Sequence, residues 1–310
     1  GTPIILLSAD RPPELQDCGA GQTINQVNLF GTFVRSFNQI SLPELSAKSI
    51  NKLRASIADS YSYCIGQNSG PVHLNFPFRE PFHSKKKTKS QPIPPLRQRK
   101  PVSLSKRDRI KNIDSICIEI SDAKRPVVIA GEHAPGQEVI NWLSNYEIPV
   151  LCDSLSPLRN TAFPNRIVRY ENLLRHSRFV RNTVPDLVVA LGPLPTSKTL
   201  RKWINDSNCK RIVIEPRGIN VDPLSSPSLS VNLPYEDLTK LVFRKADGDW
   251  LQKWTHPEQL IESNFTSTFA KELPNFEGKI ARILSLHLPD KSLLHVANSM
   301  PIRDIEWFWQ

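Results

Sequence analysis

The chain has 310 residues, 39% of them hydrophobic, a net charge of +10 and five cysteines. Its longest apolar runs, such as "PVVIAG" and "LVVALG", are strand-length, whereas a membrane-spanning helix needs roughly 20 apolar residues, so the pattern excludes a membrane span and points to two packed units. The cysteines (Cys18, Cys64, Cys117, Cys152 and Cys209) are scattered and form no C-x-x-C pair, which argues against a zinc site and a disulfide framework and for a reducing cytoplasm or plastid stroma.

The first expected strand is "PIILLSA" (3–9). It runs into "SADRPPELQDCGAGQTINQ", a polar stretch punctuated by two prolines and two glycines. Ile50, Leu53, Ile57, Tyr61 and Cys64 step by three or four and predict a helix, and "GPVHLNFP" (70–77) predicts a second strand. His73 in that strand reads more readily as a core histidine than as a catalyst. Between Lys85 and Lys111 lie eleven Lys or Arg and one acid, Asp108, which is the whole of the charge excess. The segment 85–104 also holds "QPIPP" and reads as an extended, solvated linker, so a nucleic-acid partner is not expected.

Beyond it, Ile110, Ile113, Ile116 and Ile120 predict a helix, followed by "RPVVIAG" (125–131), a helix at Val139–Ile140–Leu143 and "IPVLCD" (148–153). Then come "DLVVALG" (186–192), a helix at Leu200–Trp203–Ile204, "RIVIEP" (211–216) and "LSVNL" (229–233). After a break at "KADGDW", a helix at Ile280–Ile283–Leu284 and a last strand "SLLHVAN" (292–298) lead into "ANSMPIRDIEWFWQ". Continuous apolar runs alternating with helical periods predict an α/β protein with doubly wound, mostly parallel sheets. The expected organisation is one partial domain (1–84), the linker 85–104, a complete Rossmann-like central domain (105–245), a linker (246–274) and the start of another domain (275–310).

In such sheets ligands bind at the carboxyl ends of strands. There, Arg11 can grip a carboxylate with two parallel hydrogen bonds, or equally pair with Asp10 or Glu14. Gly19 and Gly21 permit a sharp turn, and Gln22 offers an uncharged donor and acceptor. "LGPLPTSKTLRKW" sets Lys198 at a helix start after a strand, either an anion site or a capped helix with a solvent lysine. "NSMPIRD" sets Asn298 and Ser299 at an expected strand end, with Arg303 just beyond. "AGEHAPG" lacks both the P-loop and the G-x-G-x-x-G pattern and reads as an ordinary turn.

Taken in order, "SADRPPELQDCGAGQTINQ", "GPVHLNFPFREPF", "LGPLPTSKTLRKW" and "ANSMPIRDIEWF" resemble the 2-succinyl-5-enolpyruvyl-6-hydroxy-3-cyclohexene-1-carboxylate (SEPHCHC) synthases of menaquinone and phylloquinone biosynthesis, thiamine-diphosphate enzymes. The resemblance implies three α/β domains, thiamine diphosphate with Mg2+, the substrates 2-oxoglutarate and isochorismate, and a homodimer or homotetramer with its active site between subunits. It implies that Arg11 and Arg303 hold carboxylates, that Gln22 sits near the reacting carbon, and that Lys198 reaches in from the central domain. Ser299 is expected to touch cofactor or substrate, with Asn298 beside it on the cofactor. Gly21 stands where many relatives have Asn, so a side-chain contact there is lost or taken by backbone. The activating glutamate and the Gly-Asp-Gly…Asn metal motif are not found, so the sequence is expected to be an internal piece, inactive alone. The alternatives are another thiamine-diphosphate 2-oxo acid decarboxylase, one resembling acetolactate synthase, or a non-catalytic polyanion-binding α/β module.

Overall fold

The computed structural model describes residues 1–44, 46–66, 68–80, 105–132, 134–143, 145–224, 228–244, 246–271 and 275–310. The basic segment 85–104 lies outside the described residues. The chain divides into two compact units, Gly1–Leu104 and Ser105–Gln310.

Unit 1 contains β1 (Ile5–Asp10), β2 (Ser36–Gln39), α1 (Ala47–Ile65) and β3 (Val72–Pro77). Its three strands are parallel in the order β1-β3-β2, with Ser8 opposite Asn75 and Asp10 opposite Pro77. Two strands were expected here, and β2 is the addition. Its sequence "SFNQ" holds a single apolar residue, so an apolar-run criterion passes over it. α1 starts where the Ser46 hydroxyl accepts the Ser49 amide at 3.1 Å, an ordinary N-cap. The buried core is small: Ile40, Cys64, Val72 and Leu74.

Unit 2 runs α2 (Lys106–Ile120), β4 (Pro126–Ala130), α3 (Gly136–Leu143), β5 (Val150–Cys152), β6 (Arg166–Ile167), α4 (Tyr170–Leu173), α5 (Ser177–Asn182) and β7 (Leu187–Leu191). It continues with α6 (Lys198–Ser207), β8 (Lys210–Ile214), β9 (Leu229–Val231), α7 (Gln252–Phe269), α8 (Glu277–His287) and α9 (Met300–Phe308). Its six strands are all parallel, in the order β6-β5-β4-β7-β8-β9. Strand order therefore reverses between β4 and β7, the place where open α/β sheets leave a crevice at the strand carboxyl ends. Every residue of β4, β5 and β7 is buried, which explains why those segments read as unbroken apolar runs. Each large side chain moved fully out of water contributes on the order of 1.5–3 kcal/mol before entropy.

Two expectations change here. Segment 246–274, read as a linker, holds the 18-residue helix α7. Trp254 on α7 is fully buried, and Trp250 just before it donates its indole N–H to Pro126 O at 2.7 Å. Pro257 lies inside this helix, and proline in a helical pattern reads as a stop. The second change is 292–298, which forms no strand. Leu293 is 97% exposed, and no strand among the described residues pairs with the segment. An apolar run becomes a strand only where a sheet edge accepts its backbone.

Candidate functional site

In unit 1 the loop after β1 carries Arg11 and Gln22. Arg11 does not pair with Asp10 or Glu14 through its guanidinium. One nitrogen lies 3.8 Å from the Glu80 carboxylate and another donates to Gly21 O at 3.5 Å. Asp10 instead accepts the Arg11 backbone amide at 2.8 Å, and Glu14 is held by Arg79, whose guanidinium bonds bring the Glu14 carboxyl down to about 2. Gln22 is exposed and sits at φ 58, in the left-handed region. A cavity of about 240 Å³ beside it is lined by Asp10, Gln16, Asp17 and Asn25 among others, without Arg11 or Gln22.

Beneath this loop runs a hydrogen-bond chain that the sequence did not signal. Asn75 gives its amide hydrogens to Asp10 Oδ2 (2.7 Å) and Gln39 Oε1 (3.0 Å). Its Oδ1 accepts the Ser8 hydroxyl at 2.7 Å. That hydroxyl has one hydrogen, so the 2.6 Å contact from His73 Nε2 is a donation by the ring. His73 is thus assigned as the Nε2–H tautomer, with Nδ1 buried and unpartnered between the rings of Phe30 and Phe37. Burial lowers its pKa, favouring the neutral ring. The alternation Ser8, Asp10 on one strand and His73, Asn75 on its neighbour was the available signal.

In unit 2 the structure brings two of the expected residues together. Lys198 and Arg303 line one cavity of about 300 Å³ with Asp153, Glu171, Arg175 and Trp307. Asp153 follows β5 and Lys198 opens α6 after β7, so the cavity sits at strand carboxyl ends flanking β4. The β7–α6 loop is held tightly against the end of β4. A Cβ on Gly131 would stand 2.5 Å from Pro193 O. Ser197 caps α6, its Oγ accepting the Leu200 amide at 2.9 Å.

α9 brings Arg303 to the same place. Arg159, 3% exposed, donates to Cys152 O (3.0 Å), Ile305 O (3.2 Å), Glu306 O (2.9 Å) and Glu306 Oε1 (3.3 Å), joining the end of β5 to α9. Glu306 Oε2 also accepts the Ser154 amide at 2.7 Å. On the opposite side, Gly278 of α8 lies under Phe308, whose ring atoms would stand 2.3 Å from an added Cβ.

The charges in this cavity are unevenly paired. Glu306 is matched by Arg159, and Glu171 by Arg175 at 3.1 Å. Asp153 is raised to about 6, first by burial and then by Glu306. Tyr170, buried beside these acids, is raised by burial and keeps its proton. Lys198 and Arg303 make no ion pair with any described residue, and the one side-chain hydrogen bond of Arg303 is to Met300 Sδ at 3.8 Å. Lys198 and Arg303 thus face the cavity without a direct carboxylate partner, an arrangement that favours an anion beside them.

Asn298 and Ser299 are exposed and do not line this cavity. The expected strand before them is absent, and they stand instead at the start of α9. Ser299 has φ 73 and its hydroxyl makes no capping bond, so the side chain is not spent on the helix. Among the described residues no cluster of three His, Cys, Asp or Glu side chains could hold a metal ion, and no helix is long and apolar enough to cross a membrane. All five cysteines are free. Sequence reasoning missed Glu171, Arg175, Glu306 and Trp307. The i,i+4 pair Glu171–Arg175 was the one local signal for them.

Fold and cavity together define an α/β protein of parallel sheets with a crevice lined by charged side chains at strand carboxyl ends. No protein-family model matches the chain. Along 99% or more of its length it is related in sequence to curated SEPHCHC synthases. The synthase of Trichormus variabilis is 35% identical over 332 residues, and that of Trichodesmium erythraeum 31% identical over 337, each match taking in 99% of this chain. The Synechococcus elongatus synthase is 32% identical over 320 residues and 100% of this chain. The chain spans 54–56% of the length of these relatives.

Proposed function

We propose that the chain contributes to a thiamine-diphosphate-dependent SEPHCHC synthase, a transferase that decarboxylates 2-oxoglutarate and joins the remaining four-carbon unit to isochorismate. In that reaction the bond from the keto carbon to its carboxylate breaks and CO2 leaves. The electron pair left on the former keto carbon forms the new bond to the isochorismate ring, where a C=C π bond breaks and the ring takes up one proton. Thiamine diphosphate, when bound, supplies the site that holds that electron pair.

The observation that carries this reading is the pair of unpaired cations, Lys198 and Arg303, on one cavity. 2-Oxoglutarate and isochorismate are both dicarboxylates, and fixed cations stabilise carboxylates through the reaction without reorganising. Lys198 and Arg303 hold carboxylates in this reading, and Ser299, with its hydroxyl free of the helix cap, and Asn298 serve the cofactor. Arg11 takes a further carboxylate and Gln22 orients the reacting group. Residues 105–245 act as a complete Rossmann-like central domain, supported by the six-stranded order with its single reversal. Residues 1–84 act as the later part of a pyrimidine-binding domain and 275–310 as the start of a diphosphate-binding domain. The working assembly is a homodimer or homotetramer in a reducing compartment, and the 310-residue chain alone does not turn over. Magnesium, with the ligands that hold it, belongs to the part of the relatives outside this span.

Calorimetric titration of the chain with 2-oxoglutarate tests the cavity. Lys198→Ala and Arg303→Ala should each weaken binding at least about tenfold, in the range for removing a charged hydrogen-bond partner. Undiminished binding in both variants removes this reading.

A further inference from the structure

We propose that Glu171 is a positioning residue that holds Lys198 and Arg303 at a fixed separation across the cavity. The inference rests on the reading of that cavity as the dicarboxylate pocket.

Glu171 lies on α4 and is buried. Its Oε2 accepts the Ser197 hydroxyl, and its Oε1 accepts the Thr199 hydroxyl at 2.9 Å. These two residues flank Lys198 in the chain. One carboxylate therefore pins the backbone on both sides of the lysine. It also lies at the amino end of α6, where the helix dipole favours a negative charge. The protein's own carboxylate takes the hydroxyls at this helix start, leaving the Lys198 ammonium as the cation offered to a ligand.

The same carboxylate reaches toward α9. Oε1 also accepts an Arg175 N–H at 3.1 Å, and the Arg175 guanidinium stacks over the Trp307 ring at 4.7 Å from its centre. Trp307 is four residues after Arg303, so the two share one face of α9. The path Lys198–Glu171–Arg175–Trp307–Arg303 thus joins the elements that deliver the two unpaired cations, with a charged hydrogen bond and a cation–π contact as its links. A ligand with two carboxylates a set number of carbons apart is matched by cations whose spacing is fixed in this way. Glu171 acts through those residues and touches neither carboxylate itself.

The test compares two 2-oxo dicarboxylates that differ by one carbon, 2-oxoglutarate and oxaloacetate, by calorimetric titration of the chain. The wild type should prefer the five-carbon acid. Glu171→Gln should weaken 2-oxoglutarate binding about tenfold and erase the preference, since loss of spacing penalises the matched ligand more. Thr199→Val should move binding in the same direction, Thr199→Ser should restore it, and Glu171→Gln with Thr199→Val should be no worse than Glu171→Gln alone. If Glu171→Gln does not fold, Arg175→Met and Thr199→Val carry the test through the same two readouts. Retained affinity with an intact chain-length preference overturns the proposal, as does a double variant whose losses simply add. If Lys198→Ala and Arg303→Ala leave binding unchanged, the pocket reading fails first. If they weaken it while the Glu171 and Thr199 variants do not, the positioning role alone fails.

Discussion

The two units use parallel strands in opposite ways. In unit 2 the sheet has six strands with β4, β5 and β7 buried from end to end, and the end of β5 is tied to α9 by a buried ion pair, Arg159–Glu306. Among the described residues of unit 1 the sheet has three strands, a four-residue core, and an edge strand whose Leu7 is 68% exposed. Its strand ends are organised by a polar chain, His73–Ser8–Asn75–Asp10. Where apolar burial is plentiful, paired buried ions can be held in place. Where it is scarce, orientation comes from hydrogen bonds that satisfy one another.

Arg159→Ala should produce the largest effect, because it leaves Glu306 buried without its partner and unties α9 from β5. A loss of about 3–5 kcal/mol is expected. Denaturant unfolding followed by tryptophan fluorescence measures it cleanly, since all six tryptophans (142, 203, 250, 254, 307 and 309) lie in unit 2. A loss under about 1 kcal/mol would mean that the pair is solvated and the contrast overstated.

Ile129→Ala on β4 and Leu7→Ala on β1 set the two sheets side by side. The first should cost about 2–5 kcal/mol as a cavity in a closed core, the second less than about 0.5 kcal/mol. Circular dichroism reports both transitions. Equal losses would show that the outer face of β1 is covered in solution.

A smaller effect separates the units by pH. In unit 2, Asp153 is raised to about 6 and Glu258 to about 7, each chiefly by burial. Their folded forms hold protons that the unfolded chain has released, so their contribution is full below about pH 4 and is lost as pH rises through 6–7. Glu262 and Asp237, held below their ordinary values by Arg and Lys partners, act the other way only under still more acidic conditions. In unit 1, His73 is lowered by burial, so its contribution is present above its unfolded value near 6.5 and is lost as pH falls. Between about pH 4.5 and 7 the melting temperature of unit 2 should drift down, while that of unit 1 should drift up. Glu258→Gln should flatten the unit 2 slope, and a slope unchanged by it assigns the effect elsewhere.

Legibility in the sequence followed burial. Val127–Ala130 and Leu187–Leu191 were readable because both faces are covered and every residue is apolar. β2 was not, because Phe37 is its single apolar residue, and α7 was hidden by Pro257. Segment 292–298 was over-read, since composition cannot tell whether a sheet edge is waiting. For the site, motif resemblance drew attention to Lys198 and Arg303, which share the cavity, and to Asn298 and Ser299, which do not line it. The contacts that organise the cavity join Glu171 to Thr199 and Arg159 to Glu306, residues far apart in the chain that no local period couples.

The hydrogen-bond chain in unit 1 also constrains how this protein can vary through descent. Each group in His73–Ser8–Asn75–Asp10 donates to the next, so every member is defined by its neighbour's hydrogen. Replacing Asn75 by Asp sets two acceptors face to face at Asp10, and replacing Ser8 by Ala strands both the ring N–H and the amide oxygen. Positions 8, 73 and 75 are therefore chemically coupled, and homologous chains should change them together.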